Sequence, residues 1–299
     1  MKKIIVIGSS NMDMVVRTSH IPVPGETILG GEFFMNQGGK GANQAIAVQR
    51  LGGNVIFVAK LGDDILGRQS LDYFKKAGID TRYITLDKEA ASGVALISVD
   101  NQAENSIVVA SGANMRLNEE EVDRVLGEMS EGDILLMQLE IPLPTVEYAA
   151  AKAYEKGVKV ILNPAPARSL PKSLLENLYM ITPNRIEAEM LTGIPILAEA
   201  DAEIAAKEIN AMGVKNVVIT LGARGSYIRE EGVCYRAEAF EVEPVDTTAA
   251  GDTFNGALCV GLAEGMKLEE AVVLASKASS IAVTRMGAQA SIPYRKELE

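Results

Sequence analysis

The sequence predicts an α/β protein with a central, mostly parallel sheet that carries helices on both faces. Short apolar runs of strand length alternate with amphipathic runs of helix length along most of the chain, as parallel sheets require. The 299 residues are 47% apolar, which is enough to bury one large core. The chain has no internal repeats, low-complexity tracts or long linkers. We therefore expect a single domain over residues 1–299.

The elements follow from these runs. Apolar runs bounded by polar or turn-forming residues predict the strands Ile4–Ile7, Val55–Lys60, Ile134–Met137, Val158–Leu162, Met180–Thr182 and Val217–Thr220. Apolar residues spaced three or four apart predict helices near Gly41–Leu51, Leu66–Ala77, Glu119–Met129, Leu143–Lys156, Arg185–Thr192, Ala202–Met212, Gly251–Glu264 and Leu268–Arg285.

Two regions interrupt the alternation. Met14–Asn36 contains two short extended pieces around a Pro-Val-Pro-Gly turn, and Ser92–Ala110 is typical of a hairpin about Asp100-Asn101. Neither region has a helical pattern, so neither fits the parallel sheet. We expect residues 14–36 and 92–110 to form a small separate sheet.

Composition excludes several classes of function. The net charge of −11 disfavours nucleic acid or an anionic membrane as a partner. Cys234 and Cys259 are too few and too unpatterned for a disulfide scaffold or a zinc site, which favours a reducing compartment. Cys259 falls on the apolar face of a predicted helix and is expected in the core. No leader-like segment or membrane-length apolar run is found, so we expect a cytoplasmic protein.

The strongest indication of function lies before the C-terminal helices. An extended run, Phe240–Val245, leads into small residues and then a helical pattern, which places Ala249, Ala250 and Gly251 at a helix start. Unpaired N–H groups and the helix dipole there favour an anion. Asp252 adds a carboxylate beside that anion site, as phosphoryl transfer to an alcohol needs. An Asp at this position is also a common partner of the helix dipole, so both interpretations stay open.

Two further segments carry polar residues where ligands bind. Gly38-Gly39-Lys40-Gly41-Ala42-Asn43 heads a predicted helix, but it is not a Walker A loop, since Gly41 stands where Ser or Thr is required. Asn11 and Asp13 follow the first strand, where open parallel sheets place ligands, without the glycines of a Rossmann fingerprint. A plain loop-to-helix junction and ordinary turn chemistry are the alternatives.

Together these segments resemble the ribokinase family of carbohydrate kinases, also called the phosphofructokinase-B family. The resemblance covers essentially the whole chain, and its further motifs are Ser92–Leu96, Met137–Glu140, Asn163–Arg168, Thr182–Glu189, Ile219–Gly225, Ala249–Gly256 and Ile281–Gln289. It implies a ribokinase-like fold in which the small sheet is a lid over the sugar. In such dimers the partner's lid covers the exposed apolar face of this sheet, so a homodimer is implied.

The resemblance implies an ATP-dependent sugar kinase, closest to those that convert D-ribose to D-ribose 5-phosphate. Asp252 would be the base, and the N–H groups of Ala249, Ala250 and Gly251 would hold the γ-phosphoryl group. The implied sugar-binding residues are Asn11, Asp13, Gly39, Lys40, Asn43, Glu140 and Asp252. Lys40 could instead be a solvated lysine, and Glu140 an ordinary loop carboxylate.

The resemblance also assigns a nucleotide side and two kinds of cation. The implied ATP-binding residues are Asn184, Glu187, Thr220, Gly222, Arg224, Gly225, Gly251 and Ser276. Asn184 and Glu187 would serve the Mg²⁺–phosphate network largely through water. The family often has His or Asn at the position of Ser276. The implied K⁺ loop contains Asp246, Thr248, Ala282, Arg285, Gly287 and Ser291, largely through backbone carbonyls.

Each of these assignments has a structural alternative. Asn184 and Glu187 also fit a helix-capping box, the segment at Thr220 fits a bare hairpin turn, and Asp246 fits a turn held by local N–H groups. Kinases of deoxyribose, a ketohexose or a nucleoside are the nearest functional alternatives. A non-catalytic ribose binder would have no use for Asp252 beside an anion site, and the missing fingerprint disfavours an NAD-dependent oxidoreductase.

Overall fold

The fold was analysed in a computed structural model that describes residues 1–29, 31–102 and 104–299. These residues form a nine-stranded and a four-stranded sheet. The strands are β1 (Lys3–Ile7), β2 (Asn11–Arg17), β3 (Glu32–Gly38), β4 (Asn54–Gly62), β5 (Ile84–Asp87), β6 (Gly93–Val99), β7 (Asn105–Ala110), β8 (Ile134–Met137), β9 (Lys159–Leu162), β10 (Met180–Ile181), β11 (Asn216–Thr220), β12 (Ser226–Glu230) and β13 (Val233–Ala237).

The helices alternate with the strands of the larger sheet. They are α1 (Lys40–Arg50), α2 (Ile65–Lys76), α3 (Glu119–Val125), α4 (Leu143–Glu155), α5 (Lys172–Leu175), α6 (Arg185–Thr192), α7 (Glu199–Ala211), α8 (Ala250–Ala263), α9 (Leu268–Ala282) and α10 (Ala288–Ser291). Among the described residues, none of these helices is long and apolar enough to cross a membrane.

The larger sheet has the order β13-β12-β11-β10-β9-β8-β1-β4-β5. Neighbours from β5 to β11 pair in parallel, and β12 and β13 add an antiparallel hairpin at one edge. Ile4 and Val6 enter one core with α1, α8 and α9, while Ile5 and Ile7 enter a second core with α3, α4 and α7. Because successive side chains of a strand point to opposite faces, the unbroken apolar run of β1 fills both layers. The predicted α/β class is confirmed.

The smaller sheet has the order β3-β2-β6-β7 and forms the predicted lid. Strands β6 and β7 form an antiparallel hairpin, and Asp100 N donates to the carbonyl of Glu104 at 3.0 Å beside the expected turn. The lid begins earlier than predicted, because β2 starts at Asn11 rather than near residue 14. Asn11 and Asp13 were expected just beyond the end of the first strand, with turn chemistry as the alternative, but both lie in β2. A strand face that lines a polar site need not be apolar.

Several element predictions were incomplete or wrong. Strand β5 and the hairpin of β12 and β13 were missed, because they are short and lie at the edges of the sheet. Phe240–Val245 lies outside every strand. The predicted helix at residues 119–129 is shorter, since α3 ends at Val125 and a 3₁₀ turn follows. The last long helix ends at Ala282, three residues before the predicted end.

Candidate active site

The candidate site lies where β1 passes directly into lid strand β2. Gly39 has a φ of 86°, a left-handed conformation that favours glycine, and a Cβ there would clash with Ser10 and Asn11. A Cβ at Gly41 would clash with the backbone of Gly8 and Ser9. The glycine motif therefore lets the start of α1 pack directly against the connection between the two sheets. That packing brings Lys40 and Asn43 beside the lid strand.

Asp252 lies at the centre of this junction, in the first turn of α8 and almost fully buried. Its Oδ2 accepts a hydrogen bond of 2.9 Å from Asn43 Nδ2, and its Oδ1 accepts one of 2.9 Å from Gln44 Nε2. Both donors come from α1, which packs extensively against α8. Asn43, expected to contact the sugar, thus also holds the carboxylate of Asp252.

The helix start beside Asp252 has an open approach. Ala249 adopts the left-handed conformation with a φ of 58°, and α8 begins at Ala250, as predicted. A Cβ built on Gly251 would meet no described heavy atom within 4 Å. The three predicted N–H groups are not all available, because Ala250 N donates to the carbonyl of Thr247 at 3.2 Å. The dipole of this helix start still favours an anion, and Gly251 leaves the approach open.

Asp13 faces the same space from the lid. Burial raises its pKa to about 7, with further upward contributions from Glu140 and Asp252 that Lys40 partly offsets. A methyl group at Gly38 would occupy the position of the Asp13 carboxyl, so this glycine makes room for it. Asp13 is a carboxyl group that changes charge near neutral pH.

Lys40 is the cation within this acidic cluster. Burial alone would lower its pKa, but the negative charges of Asp252, Glu140, Glu187 and Asp13 together raise the pKa above its ordinary value. The side chain stays charged, and the interpretation as a freely solvated lysine does not fit its burial. The cluster brings together residues from α1, α6, α8, the lid and the segment after β8.

Glu140 and Asn11 are held in part by Ser9, Ser10 and Asn114, which the sequence analysis did not assign to the site. Glu140 Oε2 accepts hydrogen bonds from Ser9 Oγ and from Lys40 N, the latter at 3.0 Å. Asn11 Oδ1 accepts a hydrogen bond of 2.7 Å from Asn114 Nδ2. Asn114 Nδ2 also donates to the carbonyl of Ser10, and Asn114 Oδ1 accepts a hydrogen bond from Ser10 N. Asn114 lies 103 residues from Asn11 in the chain, and no local pattern connects the two.

A cavity of about 650 Å³ lies on the other side of the start of α8. Ala250 and Gly251 line it together with Thr220, Gly222, Gly225 and Ser276 of the predicted nucleotide site, and with Phe240, Val242 and Phe254. Arg224 does not line it, because its guanidinium donates to the carbonyl of Leu197 at 3.2 Å. The cavity is mostly apolar and has the start of α8 at one end.

Asn184 and Glu187 form the capping box that the sequence left as an alternative. Asn184 Oδ1 accepts from Glu187 N at 2.9 Å, and Glu187 Oε2 accepts from Asn184 N at 2.8 Å. Burial raises the pKa of Glu187, which interacts electrostatically with Lys40 and Asp252. Asn184 also bridges to Thr220, so the box lies between the cavity and the acidic cluster.

The predicted K⁺ loop is a tightly bonded turn. Asp246 Oδ1 accepts from Thr248 N at 2.9 Å, and Oδ2 accepts from Gly287 N at 2.8 Å. Burial would raise the pKa of Asp246, but these bonds lower it. Arg285 pairs with Glu297, Ser291 Oγ donates to the carbonyl of Ala288, and the carbonyl of Ala282 accepts from Arg285 N. The turn-forming alternative for Asp246 is thus present.

Carboxylate clusters for a metal ion are absent from the described part of the chain. No group of three or more His, Cys, Asp or Glu side chains suitable for a metal was found there. A cation at the turn of Asp246 would rely chiefly on backbone carbonyls. Ser279 Oγ donates to the carbonyl of Ala250 at 3.0 Å, which ties α9 to the adjacent helix start.

Comparisons with known proteins find relatives among carbohydrate kinases. Residues 1–295 match the family model described as pfkB family carbohydrate kinase. The chain is 44% identical over 296 residues to a ribokinase of Haemophilus influenzae, covering 99% of this chain and 97% of that one. It is 35% identical over 291 residues to a deoxyribokinase of Salmonella typhi, covering 97% and 95%. The structure of an Arabidopsis thaliana ribokinase complexed with ribose and ATP matches with a TM-score of 0.92 and 31% identity, covering 99% and 97%.

Proposed function

The chain belongs to the pfkB family of carbohydrate kinases, and on this basis we propose that it transfers the γ-phosphoryl group of ATP to O5 of D-ribose. One observation carries the proposal above all others. The buried carboxylate of Asp252 lies beside an open helix start, with the polar lid residues on one side and a nucleotide-sized cavity on the other. A phosphoryl group held at that helix start is adjacent to the base that its acceptor needs.

The transfer step follows from this geometry. O5 of the sugar forms a bond to the γ-phosphorus, the bond from that phosphorus to the bridging oxygen of ADP breaks, and Asp252 accepts the hydroxyl proton. The N–H groups at Ala249 and Gly251 stabilise charge on the phosphoryl oxygens, and that of Ala250 joins them once it releases the carbonyl of Thr247. Because the transition state is loose, positioning and charge stabilisation contribute more than the strength of the base.

The sugar side is proposed to use both sheets. Asp13 and Glu140 accept hydrogen bonds from sugar hydroxyls, while Asn11 and Asn43 donate and accept them. The conformation of Gly39 lets the backbone approach the sugar closely. Lys40 balances the negative charge of the surrounding carboxylates.

The nucleotide is proposed to occupy the cavity beside Thr220, Gly222, Gly225 and Ser276. Phe240, Val242 and Phe254 offer apolar surface for a base. Arg224, although assigned to this site by the resemblance, would have to leave the carbonyl of Leu197 to reach a phosphate.

Two cations fit the residues present. Mg²⁺ bound with ATP would neutralise phosphate charge, and the buried carboxylate of Glu187 with Asn184 would hold its hydration shell. We also propose K⁺ at the turn formed by Asp246, Thr248, Ala282, Arg285, Gly287 and Ser291. This turn runs directly into Ala249, so an ion bound there would stiffen the phosphoryl site.

The assembly and location are also proposals. Phe33, Met35, Leu96 and Val108 lie on the lid face away from Asp13 and are exposed, with Val108 64% exposed. Exposed apolar faces of this kind mark interfaces, and a second copy of the same lid would cover it. We place the enzyme in the cytoplasm, where ATP is available and the thiols of Cys234 and Cys259 stay reduced.

A coupled assay of ADP release tests the substrate. Ribose, deoxyribose, fructose and adenosine would be compared, and ³¹P and ¹³C NMR of the product would locate the phosphate. We expect the highest kcat/KM with ribose and phosphate on O5. A higher kcat/KM with deoxyribose would assign the chain to the activity of its Salmonella relative, and no turnover with any acceptor would refute the proposal.

A further inference from the structure

A chain of buried amide side chains lies behind Asp252. Gln44, on α1, is completely buried, and its Nε2 donates to Asp252 Oδ1 at 2.9 Å and to Asn163 Oδ1 at 3.1 Å. Its Oε1 accepts a hydrogen bond from Gln138 Nε2. Both hydrogens of the amide nitrogen and its carbonyl oxygen are therefore engaged.

The orientation of the Gln44 amide is determined by its neighbours. Asn163 Nδ2 donates to the carbonyl of Thr182 at 3.2 Å, so Asn163 presents its oxygen to Gln44. Rotating the Gln44 amide by half a turn would point its oxygen at two acceptors, one of them the carboxylate of Asp252. Such an arrangement leaves buried polar groups unpaired and is disfavoured.

This arrangement holds both oxygens of the Asp252 carboxylate. Asn43 holds Oδ2 and Gln44 holds Oδ1, so the carboxylate cannot rotate without losing a hydrogen bond. Other negative groups, Asp13 and Glu187, interact with the same site. The Gln44 amide that donates to Oδ1 offsets part of the negative charge that these groups create around the carboxylate of Asp252.

We propose that Gln44 is a positioning residue for the phosphoryl transfer, holding Asp252 in the orientation in which it receives the proton of the acceptor hydroxyl. The role rests on the proposed function, because it presumes that Asp252 is the base. Gln44 does not need to touch the sugar. Its loss should therefore lower kcat while leaving KM for the sugar nearly unchanged.

The test compares Gln44→Met with Gln138→Met. Methionine matches the length of glutamine without its amide, so both variants remove one member of the buried chain. Only Gln44→Met removes the bond to Asp252. Losing a hydrogen bond to a charged group corresponds to about a 10- to 100-fold fall in kcat. We expect that fall in Gln44→Met, with KM for the sugar and for ATP within about threefold, and less than a threefold change in Gln138→Met.

A second variant tests the donor directly and does not depend on the first variant folding. Gln44→Glu places a carboxyl group against Asp252, which repels it when ionised and can donate to it when protonated. The ratio of its kcat to that of the wild-type enzyme should rise as pH falls. Asp13, Lys40 and Glu187 are present in both proteins, so their effects on pH dependence largely cancel in the ratio of the two kcat values. The remaining pH dependence of the ratio reports on the introduced glutamate.

The outcomes distinguish a failure of the role of Gln44 from a failure of the proposed function. The assay uses whichever acceptor the wild-type enzyme phosphorylates, so a wrong assignment of ribose does not affect the comparison. Three results would overturn the role of Gln44. One is a wild-type kcat in Gln44→Met, and another is an equal loss of kcat in Gln44→Met and Gln138→Met. The third is a ratio of Gln44→Glu kcat to wild-type kcat that does not change with pH. No turnover by the wild-type enzyme with any acceptor would overturn the proposed function and this role with it.

Discussion

At the scale of single residues, the site is a balance of charge in a buried space. Burial raises the pKa of Asp13 and of Glu187, whereas the negative charges around Lys40 raise its pKa against the effect of burial. Amides from α1 supply hydrogen bonds that a carboxylate in such surroundings needs. Small changes at these positions should therefore alter chemistry more than folding.

Replacing Asp252 tests the base. Asp252→Asn keeps the shape of the side chain but removes the proton acceptor, so kcat should fall by about 10²- to 10⁴-fold, the usual contribution of general base catalysis. Sugar affinity should change less, because the other polar groups remain. Steady-state kinetics and sugar titration by calorimetry would measure both, and near-full turnover would remove Asp252 from the mechanism.

Asp13 makes sugar binding depend on pH. Its pKa is raised to about 7, so the group is largely neutral below that pH and ionised above it. In the proposed complex the ionised carboxylate would accept hydrogen bonds from two hydroxyls, so kcat/KM for the sugar should rise as pH increases through about 7. Asp13→Asn should lose this dependence, and its KM should rise at least about tenfold at pH 8. Equal losses for sugar and ATP would indicate misfolding instead.

The same shift has the opposite effect on stability. A carboxyl group whose pKa is raised by folding binds a proton more tightly in the folded state, so stability declines as pH rises from about 4 to about 7. Asp13→Asn should therefore raise the Tm at pH 8 and leave it nearly unchanged at pH 4. Thermal unfolding at the two pH values measures the difference. An equal effect at both would contradict a buried, charged Asp13.

At the scale of elements, the site depends on three helix starts and one turn. The starts of α1, α6 and α8 converge on the junction between the sheets. The turn at Asp246 precedes α8 and is tied to Gly287, while Ser279 ties α9 to Ala250. Changes in this turn should thus reach the phosphoryl site without contacting a substrate.

Exchange of K⁺ for Na⁺ tests the turn. If K⁺ occupies it, the smaller ion cannot satisfy the same carbonyl cage without distortion, so kcat should fall in Na⁺ while the Tm changes little. Rates in Na⁺, K⁺ and Cs⁺ buffers of matched ionic strength would show this. Asp246→Ala should remove the response to K⁺. Identical wild-type rates in all three buffers would mean that the turn is only structural.

At the scale of the whole molecule, the lid presents an apolar face that its own chain leaves exposed. The face is formed by alternate residues of paired strands, including Phe33, Leu96 and Val108. Its opposite face carries Asn11 and Asp13, so the same strands would serve the sugar on one side and an interface on the other. Dimerisation would thereby stabilise the strands that bind the sugar.

A charge on that face tests the dimer. Val108→Glu should convert a dimer into a monomer, because an unpaired carboxylate would be buried at the interface. Val233→Glu is a matched control, since Val233 is 65% exposed on the edge strand β13, outside the lid. Sedimentation equilibrium would measure both masses. A monomeric wild-type protein, or a dimer that persists in Val108→Glu, would contradict this interface.

Local patterns were sufficient to predict most of the fold and the centre of the site. The apolar run of β1, the helix of Lys40–Arg50 and the helix start at Ala250 were all predicted within a residue or two, because periodicity and small residues act over short distances. Edge strands such as β5 were missed, since short half-exposed strands carry little periodic signal. Asn11 and Asp13 were expected beyond the end of the first strand rather than within β2, because the pairing of β2 depends on distant partner strands.

By itself, the sequence determined the α/β class, the starts of α1 and α8 and the family of the chain, since each depends on contiguous motifs. Tertiary structure alone decided how those motifs act together. It placed Gln44 and Asn43 on the two oxygens of Asp252, more than 200 residues away, and brought Asn114 to Asn11. It also raised the pKa of Asp13, because burial and neighbouring charges depend on which distant segments pack around a group.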